Sequence, residues 1–188
     1  MRVISGSFRG KKILEPKDNK TRPLKDLTKE SIFNIIEHSN KFRVQIIGSN
    51  VLDLFSGVGS FGIECLSRGA NKVIFAENYQ SVLSILKKNL INLKSTNNYK
   101  IIKDDIYKEN TLLIINESFD IIFLDPPYKD KNLGRIFEAI QKGNILKKNG
   151  IIILHRHKKE KDLLPINFKK IEEKQYGISK INFINLSS

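Results

Sequence analysis

The chain has 188 residues, 40% of them hydrophobic, which suits one domain with a sizeable core. Its 33 Lys plus Arg against 20 Asp plus Glu leave a formal charge of +13, a field that attracts polyanions and nucleic acid foremost. Cys65 is the only cysteine, which excludes an internal disulfide and a thiolate metal cluster; with no long apolar stretch and no apolar signal segment, a cytoplasmic monomer without membrane contact is expected.

Residues 1–24 hold two short β-prone pieces, 2–4 and 11–14, broken by Gly6, Gly10, Pro16 and Pro23, and suggest a basic hairpin lying outside the core. Nine bases against four acids in residues 1–30 concentrate positive charge here, and Arg9, Lys11, Lys12 and Arg22 are the candidate phosphate contacts. Leu27, Ile32, Phe33, Ile35 and Ile36 roughly keep helical spacing, with Asp26 or Thr28 as the cap. The expected division is a basic extension for nucleic-acid contact, 1–38, and a main domain, 39–188. From residue 50 strands and helices alternate: strand 51–55, helix 60–68, strand 72–76, helix 82–93, strand 100–103, a helical or irregular stretch 106–115, strand 119–124, helix 133–142 and strand 150–154. Such alternation makes right-handed crossovers and a parallel sheet, so the fold class is α/β. The run His155-Arg156-His157-Lys158-Lys159 suggests a basic loop. Two last strands, 168–173 and 180–186, have no helix between them and predict an antiparallel hairpin at the sheet edge.

Ligands of such sheets sit beyond the carboxyl ends of the strands, and the candidate residues collect there. After the first core strand the chain runs Asp53-Leu54-Phe55-Ser56-Gly57-Val58-Gly59-Ser60-Phe61-Gly62, a tight turn with close backbone approach leading into a helix N-terminus. Glu77 and Asn78 end the second strand, where a carboxylate can hold a ribose diol. Gly57, Gly59 and Gly62 also satisfy the dinucleotide fingerprint G-x-G-x-x-G, so an NAD site is an alternative. Charge separates the two: a pyrophosphate at the turn would be repelled by Asp53, whereas S-adenosylmethionine brings an ammonium and a sulfonium. Asp105, after the third strand, can accept from an adenine amine, and Asp104 suits an N-cap. The candidate cofactor residues are therefore Asp53, Phe55, Ser56, Gly57, Gly59, Glu77, Asn78 and Asp105. Asp125-Pro126-Pro127-Tyr128 follows the apolar strand at 119–124. Proline donates no amide hydrogen and is stiff, leaving free carbonyls beside Asp125, and Tyr128 offers a face for stacking. That arrangement suits a flat heterocycle bearing an exocyclic amine. Ordinary roles compete with these: Asp53 and Asp125 can serve turns, and Glu77 can end a strand. No metal-binding motif and no nucleophile with a base partner is seen.

The order of glycine-rich turn, acid after the second strand and Asp125-Pro126-Pro127-Tyr128 after the fourth resembles class I S-adenosylmethionine methyltransferases that act on amino groups of bases. More narrowly, Arg2-Val3-Ile4-Ser5-Gly6-Ser7-Phe8-Arg9-Gly10-Lys11-Lys12-Ile13, Thr21-Arg22-Pro23 and Lys29-Glu30-Ser31-Ile32-Phe33-Asn34 look like the RsmD family of 16S ribosomal RNA guanine-N2 methyltransferases. The resemblance implies a Rossmann-like sheet of seven mostly parallel strands, S-adenosylmethionine as methyl donor, and Asp125, Pro126, Pro127 and Tyr128 as catalytic residues. It also implies 16S rRNA, within the small subunit or an assembly intermediate, as partner. Guanine and rRNA rest on the N-terminal motifs alone, because Asp-Pro-Pro-Tyr is shared with adenine and cytosine amino methyltransferases. A DNA or RNA adenine-N6 enzyme and a noncatalytic RNA-binding assembly protein are the alternatives. One departure stands out: the family often carries an acid where this chain has His155.

Overall fold

The structure, a computed structural model, describes residues 1–16, 24–93, 97–108 and 111–187. Strands β1 (Asn50–Leu54), β2 (Lys72–Ala76), β3 (Tyr99–Ile102), β4 (Phe119–Leu124) and β5 (Leu146–His157) are parallel; β6 (Phe168–Tyr176) and β7 (Ser179–Leu186) form an antiparallel hairpin. Their spatial order is 3-2-1-4-5-7-6, with β7 antiparallel to β5. The order reverses between β1 and β4, so the crevice for a ligand opens at the carboxyl ends of those two strands. β1 and β4 read as near-continuous apolar runs because helices cover both faces of the sheet. One face carries Val51, Phe123, Ile153 and Phe183 against Phe33 of α1 (Asp26–His38), Phe61 of α2 (Ser60–Ser67) and Leu86 of α3 (Gln80–Asn92). The other carries Leu52, Ile122, Ile152 and Ile184 against Ile136, Phe137 and Ile140 of α4 (Leu133–Lys142), whose i, i+1, i+4 spacing makes a single apolar stripe.

The edge hairpin and the alternation are as expected, and several boundaries move. Among the described residues of the stretch at 106–115, the irregular alternative holds, with one 3-10 turn at Leu113–Ile115. β5 is much longer than the apolar run at 150–154: it extends back to Leu146, which pairs with Phe119 across a register shift, and on to His157, because His155, Arg156 and His157 still pair with β7. The basic loop expected at residues 155–159 is thus corrected: His155 and Arg156 are buried strand residues, and only Lys158 and Lys159 stand exposed beyond them.

A second correction concerns the N-terminal residues, which do enter the core. Arg2 and Lys12 form an isolated antiparallel bridge, backed by hydrogen bonds from Val3 N to Lys11 O and from Ile13 N to Met1 O. Val3, Phe8 and Ile13 then pack into the same apolar cluster as α1, α2 and α3. Polar anchors fix this docking. Glu64, fully buried in α2, accepts from the amides of Ile4 (2.8 Å) and Ser5 (2.9 Å) and from Arg68 Nε (3.0 Å). Lys29 of α1 lies 3.6 Å from Glu64, donates to Arg2 O at 2.8 Å, and has its ammonium pulled below the ordinary lysine range by burial. Asn89 of α3 accepts from Leu14 N and donates to Leu14 O and Val58 O, tying the hairpin's exit to the glycine turn.

Candidate active site

The glycine turn is shaped before any ligand arrives. Phe55 takes a left-handed φ of 59°, uncommon for a side-chain-bearing residue, and turns the chain away from the end of β1. Gly59 has φ 85° and a Cβ there would lie 2.5 Å from Leu86, so both its backbone and α3 require glycine. Gly57 (φ 55°) has no atom within 4 Å of the place a Cβ would take, leaving the turn open to close approach. At Gly62 it is packing that excludes a side chain: a Cβ would lie 2.3 Å from the Phe75 ring.

Around this turn the carboxylates converge as expected. Asp53 is buried, its Oδ2 accepts from Gly62 N at 3.0 Å, and its Oδ1 is buried with no hydrogen-bond partner among the described residues. Burial first, then the nearby Asp125 and Glu77 charges, push its carboxyl well above the ordinary range, against the pull of the Gly62 amide. Ser56 Oγ is likewise buried, with no partner among the described residues. Glu77 accepts from Gly57 N (2.9 Å) and Tyr79 N (2.8 Å), so it braces the glycine turn and keeps further acceptor capacity for a diol. Asp105 caps its own turn by accepting from Tyr107 N at 2.9 Å; Asp104 is exposed, so the capping role belongs to Asp105 and not to Asp104. Asn78 is exposed at the rim of the same cleft.

Two connected hollows result. A recess is lined by Asp53, Ser56, Phe61, Phe123 and Asp125, with Pro16 and Leu24 over it; a wider cleft is lined by Glu77, Asp105, Tyr107 and the Asp125–Asp130 segment. Phe55, Gly57 and Asp125 belong to both. The residues present fit a cationic ligand with a diol and a flat base, as in S-adenosylmethionine. The orphaned buried oxygen of Asp53 asks for a positive charge or a donor, and Glu77 and Asp105 lie where the ribose and adenine would extend. They fit a pyrophosphate poorly, because the Gly57 amide that would receive a phosphate already donates to Glu77.

Along the cleft, the catalytic candidates are held by residues that the sequence pattern assigned to a basic loop. The β4–β5 register pairs Leu124 with Leu154, so Asp125 and His155 are the next cross-strand neighbours on one face. His155 Nδ1 lies 2.8 Å from Asp125 Oδ1. Arg156, alternating to the other face, is 1% exposed and its guanidinium donates to Asp162 through Nε (3.0 Å), to Pro127 O at 3.1 Å and to Asp130 O at 2.9 Å. Tyr128 is flanked edge-on by the His157 ring at 4.9 Å between centroids. The Tyr107 hydroxyl donates to Asp130 at 2.5 Å, and burial with that bond pushes its phenol further up. The signal for His155 and Arg156 was available only through register, since strand alternation places one beside Asp125 and the other beneath the loop.

The described basic candidates, Arg9, Lys11 and Lys12, are not brought to this site. Lys11 Nζ donates to Leu93 O at the end of α3 and sits 4.9 Å over the Phe8 ring; α3 returns the chain to the amino ends of the strands, so Lys11 lies at the far end of the sheet. Arg9 and Lys12 are exposed on the same hairpin, and Arg22 lies outside the described residues.

Residues 1–185 match the family described as Conserved hypothetical protein 95. The chain belongs to that family. Within it, the chain is 36% identical to a putative rRNA methyltransferase of Bacillus subtilis over 87% of its own length and 85% of the relative's. It is 32% identical to the ribosomal RNA small subunit methyltransferase D of Haemophilus influenzae, covering 95% of this chain and 90% of that one. Among solved structures, a putative methyltransferase from Escherichia coli superposes with a TM-score of 0.82 at 25% identity, covering 100% of this chain and 98% of that one. The likeness to RsmD proteins carried by residues 2–13, 21–23 and 29–34 is thus one of family, and the sheet is that of a Rossmann-like methyltransferase.

Proposed function

We propose that this protein methylates the exocyclic N2 amine of a guanine in 16S ribosomal RNA, with S-adenosylmethionine as donor. The observation that carries the reading is that Asp53, whose buried Oδ1 has no partner among the described residues, and Asp125, at the Pro-Pro-Tyr turn, line one recess. A carboxylate seeking a cation and a carboxylate able to accept from an amine therefore stand on either side of one reacting space. Asp53 and Ser56 would hold the amino-acid portion of the cofactor, Glu77 the ribose, and Asp105 the adenine amine, with Gly57 giving room for close approach and Phe55, Gly59 and Asn78 completing the walls. When bound there, S-adenosylmethionine supplies an activated methyl group.

The protein's own contribution is orientation. A guanine amine is a poor nucleophile because its lone pair is delocalised into the ring. Asp125 and the Pro126 carbonyl, stiffened by Pro127, accept its two hydrogens and favour a pyramidal nitrogen whose lone pair points at the methyl carbon. Tyr128 stacks on the base once it is out of its helix. After transfer the nitrogen is strongly acidic and sheds a proton, so no separate base is needed to start the reaction. The surface beside Tyr128 suits RNA: Lys129, Lys131, Lys158, Lys159 and Lys161 are all exposed around it. The names of the relatives support rRNA of the small subunit as substrate, in assembled or partly assembled particles, and a monomer suffices for a site built within one chain.

The test is to incubate the protein and methyl-labelled S-adenosylmethionine with small subunits, naked 16S rRNA and duplex DNA, then identify the labelled nucleoside. N2-methylguanosine from either rRNA substrate is the expected result. Label on adenine would overturn the base assignment, and cofactor binding with no transfer to any substrate would overturn the enzymatic reading.

A further inference from the structure

We infer that His155 is a positioning residue for Asp125: its imidazole engages one carboxylate oxygen and so turns the other towards the amine to be methylated. This deepens the functional reading above and rests on it. With its hydrogen on Nδ1, the ring donates to Asp125 Oδ1 across 2.8 Å, while Oδ2 has no hydrogen-bond partner among the described residues. An aspartate at the end of a strand otherwise turns freely about two side-chain bonds and offers either oxygen. The imidazole cannot follow such motion, because its strand position is paired to Ile181 of β7 and its side chain is only 6% exposed, against 18% for Asp125. It also meets the Tyr128 ring edge-on at 6.2 Å, so one buried side chain touches both the amine-accepting and the base-stacking candidate.

The other ring nitrogen strengthens the case. Nε2 is buried and has no hydrogen-bond partner among the described residues, so the one polar bond this ring makes is to Asp125. Buried polar atoms are rarely left unbonded, and a leucine would fill the space without that cost. Packing alone does not account for a histidine here; orientation of Asp125 does. His155 acts through Asp125 and need not touch the substrate itself.

Three measurements on the full chain test this, using His155→Leu, which keeps volume and removes the donor, and His155→Asn, whose amide nitrogen stands where Nδ1 does. In single-turnover methylation of 16S rRNA, His155→Leu is expected to lose at least about tenfold in rate constant, with cofactor affinity, rRNA KM and melting temperature close to wild type. His155→Asn is expected to recover most of that rate. Nitrogen-15 spectra of the imidazole should place the hydrogen on Nδ1 in wild type and lose that preference in Asp125→Ala, a readout independent of activity. The inference is overturned if His155→Leu transfers at the wild-type rate, if the two variants fall equally, or if the hydrogen resides on Nε2. A wild-type protein with the Nδ1 signature that methylates no RNA would overturn the methyltransferase reading while leaving the pairing intact.

Discussion

Asp53 shows how a single residue trades stability for binding. In the free protein its carboxyl is raised above the ordinary value of 3.8 by burial, so between that value and its folded-state value the folded chain holds a proton that the unfolded chain has lost. Stability therefore falls as pH rises through that window, and the cost is carried in full at higher pH. Asp53→Asn removes the cost. Its melting temperature in the absence of cofactor should exceed that of wild type at neutral pH, with the difference shrinking as pH falls towards 4. The same change should weaken S-adenosylmethionine binding by about 1.5–3 kcal/mol, roughly ten- to hundredfold, because a bond to a charged group is lost. Wild-type affinity should rise with pH through the window, since a cationic ligand selects the ionised carboxylate; calorimetry in two buffers would detect the proton released. Asp125, on the other side of the recess, should behave oppositely. Asp125→Ala should lower the transfer rate about 10²–10³-fold, the cost typical of losing one preorganised polar contact, with cofactor affinity nearly unchanged. Equal losses of affinity and rate would move Asp125 from the amine to the cofactor.

At the scale of elements, the Pro-Pro-Tyr loop is rigid because β5 reaches under it. Arg156 binds two of its carbonyls, Pro127 O and Asp130 O, and is itself held by Asp162 from the following loop. Arg156→Met keeps most of the apolar stem but leaves Asp162 and both carbonyls without their partner, a loss on the order of 3 kcal/mol in stability. Arg156→Lys retains the charge but not the planar fork, and should recover only part of both stability and rate. Chemical denaturation and single-turnover kinetics on the two variants would check this; equal rates in wild type and Arg156→Met would show that the loop holds its shape without the brace. These residues also mark where sequence reading stops. The strands at 72–76 and 119–124, the helix at 133–142 and the acids at the strand ends follow from local pattern, because apolar periodicity and turn chemistry act within a few residues. His155 and Arg156 look like one basic run with Lys158 and Lys159 until the β4–β5 register is known, and register is set by partners thirty positions away. The N-terminal hairpin was misplaced for a related reason. Its lysines and glycines look like surface, while the acceptor that buries it, Glu64, lies sixty residues on and has no local signature.

On the scale of the whole molecule, exposed bases among the described residues stand at both ends of the sheet. Lys129, Lys131, Lys158, Lys159 and Lys161 are exposed at the carboxyl ends beside Tyr128, whereas Arg9 and Lys12 belong to a hairpin whose Lys11 is anchored at the end of α3, near the amino ends. An RNA must reach across the protein to touch both. A short hairpin carrying the target guanine should engage only the first group; intact 16S rRNA can engage both. Each phosphate contact adds about 0.7–0.9 to the slope of log affinity against log salt. Lys158→Glu, Lys159→Glu and Lys161→Glu combined should therefore weaken binding to short and long RNA alike and flatten both slopes by about 2 or more. Arg9→Glu with Lys12→Glu should leave the short RNA unaffected and flatten the slope for 16S rRNA alone. Lys11→Ala should act on stability instead, since its ammonium is spent on Leu93 O and the Phe8 ring. Filter binding across a salt series would separate these cases. If the Arg9 and Lys12 changes weakened the short hairpin as much as the long RNA, the path of the substrate would have to run over the N-terminal hairpin first.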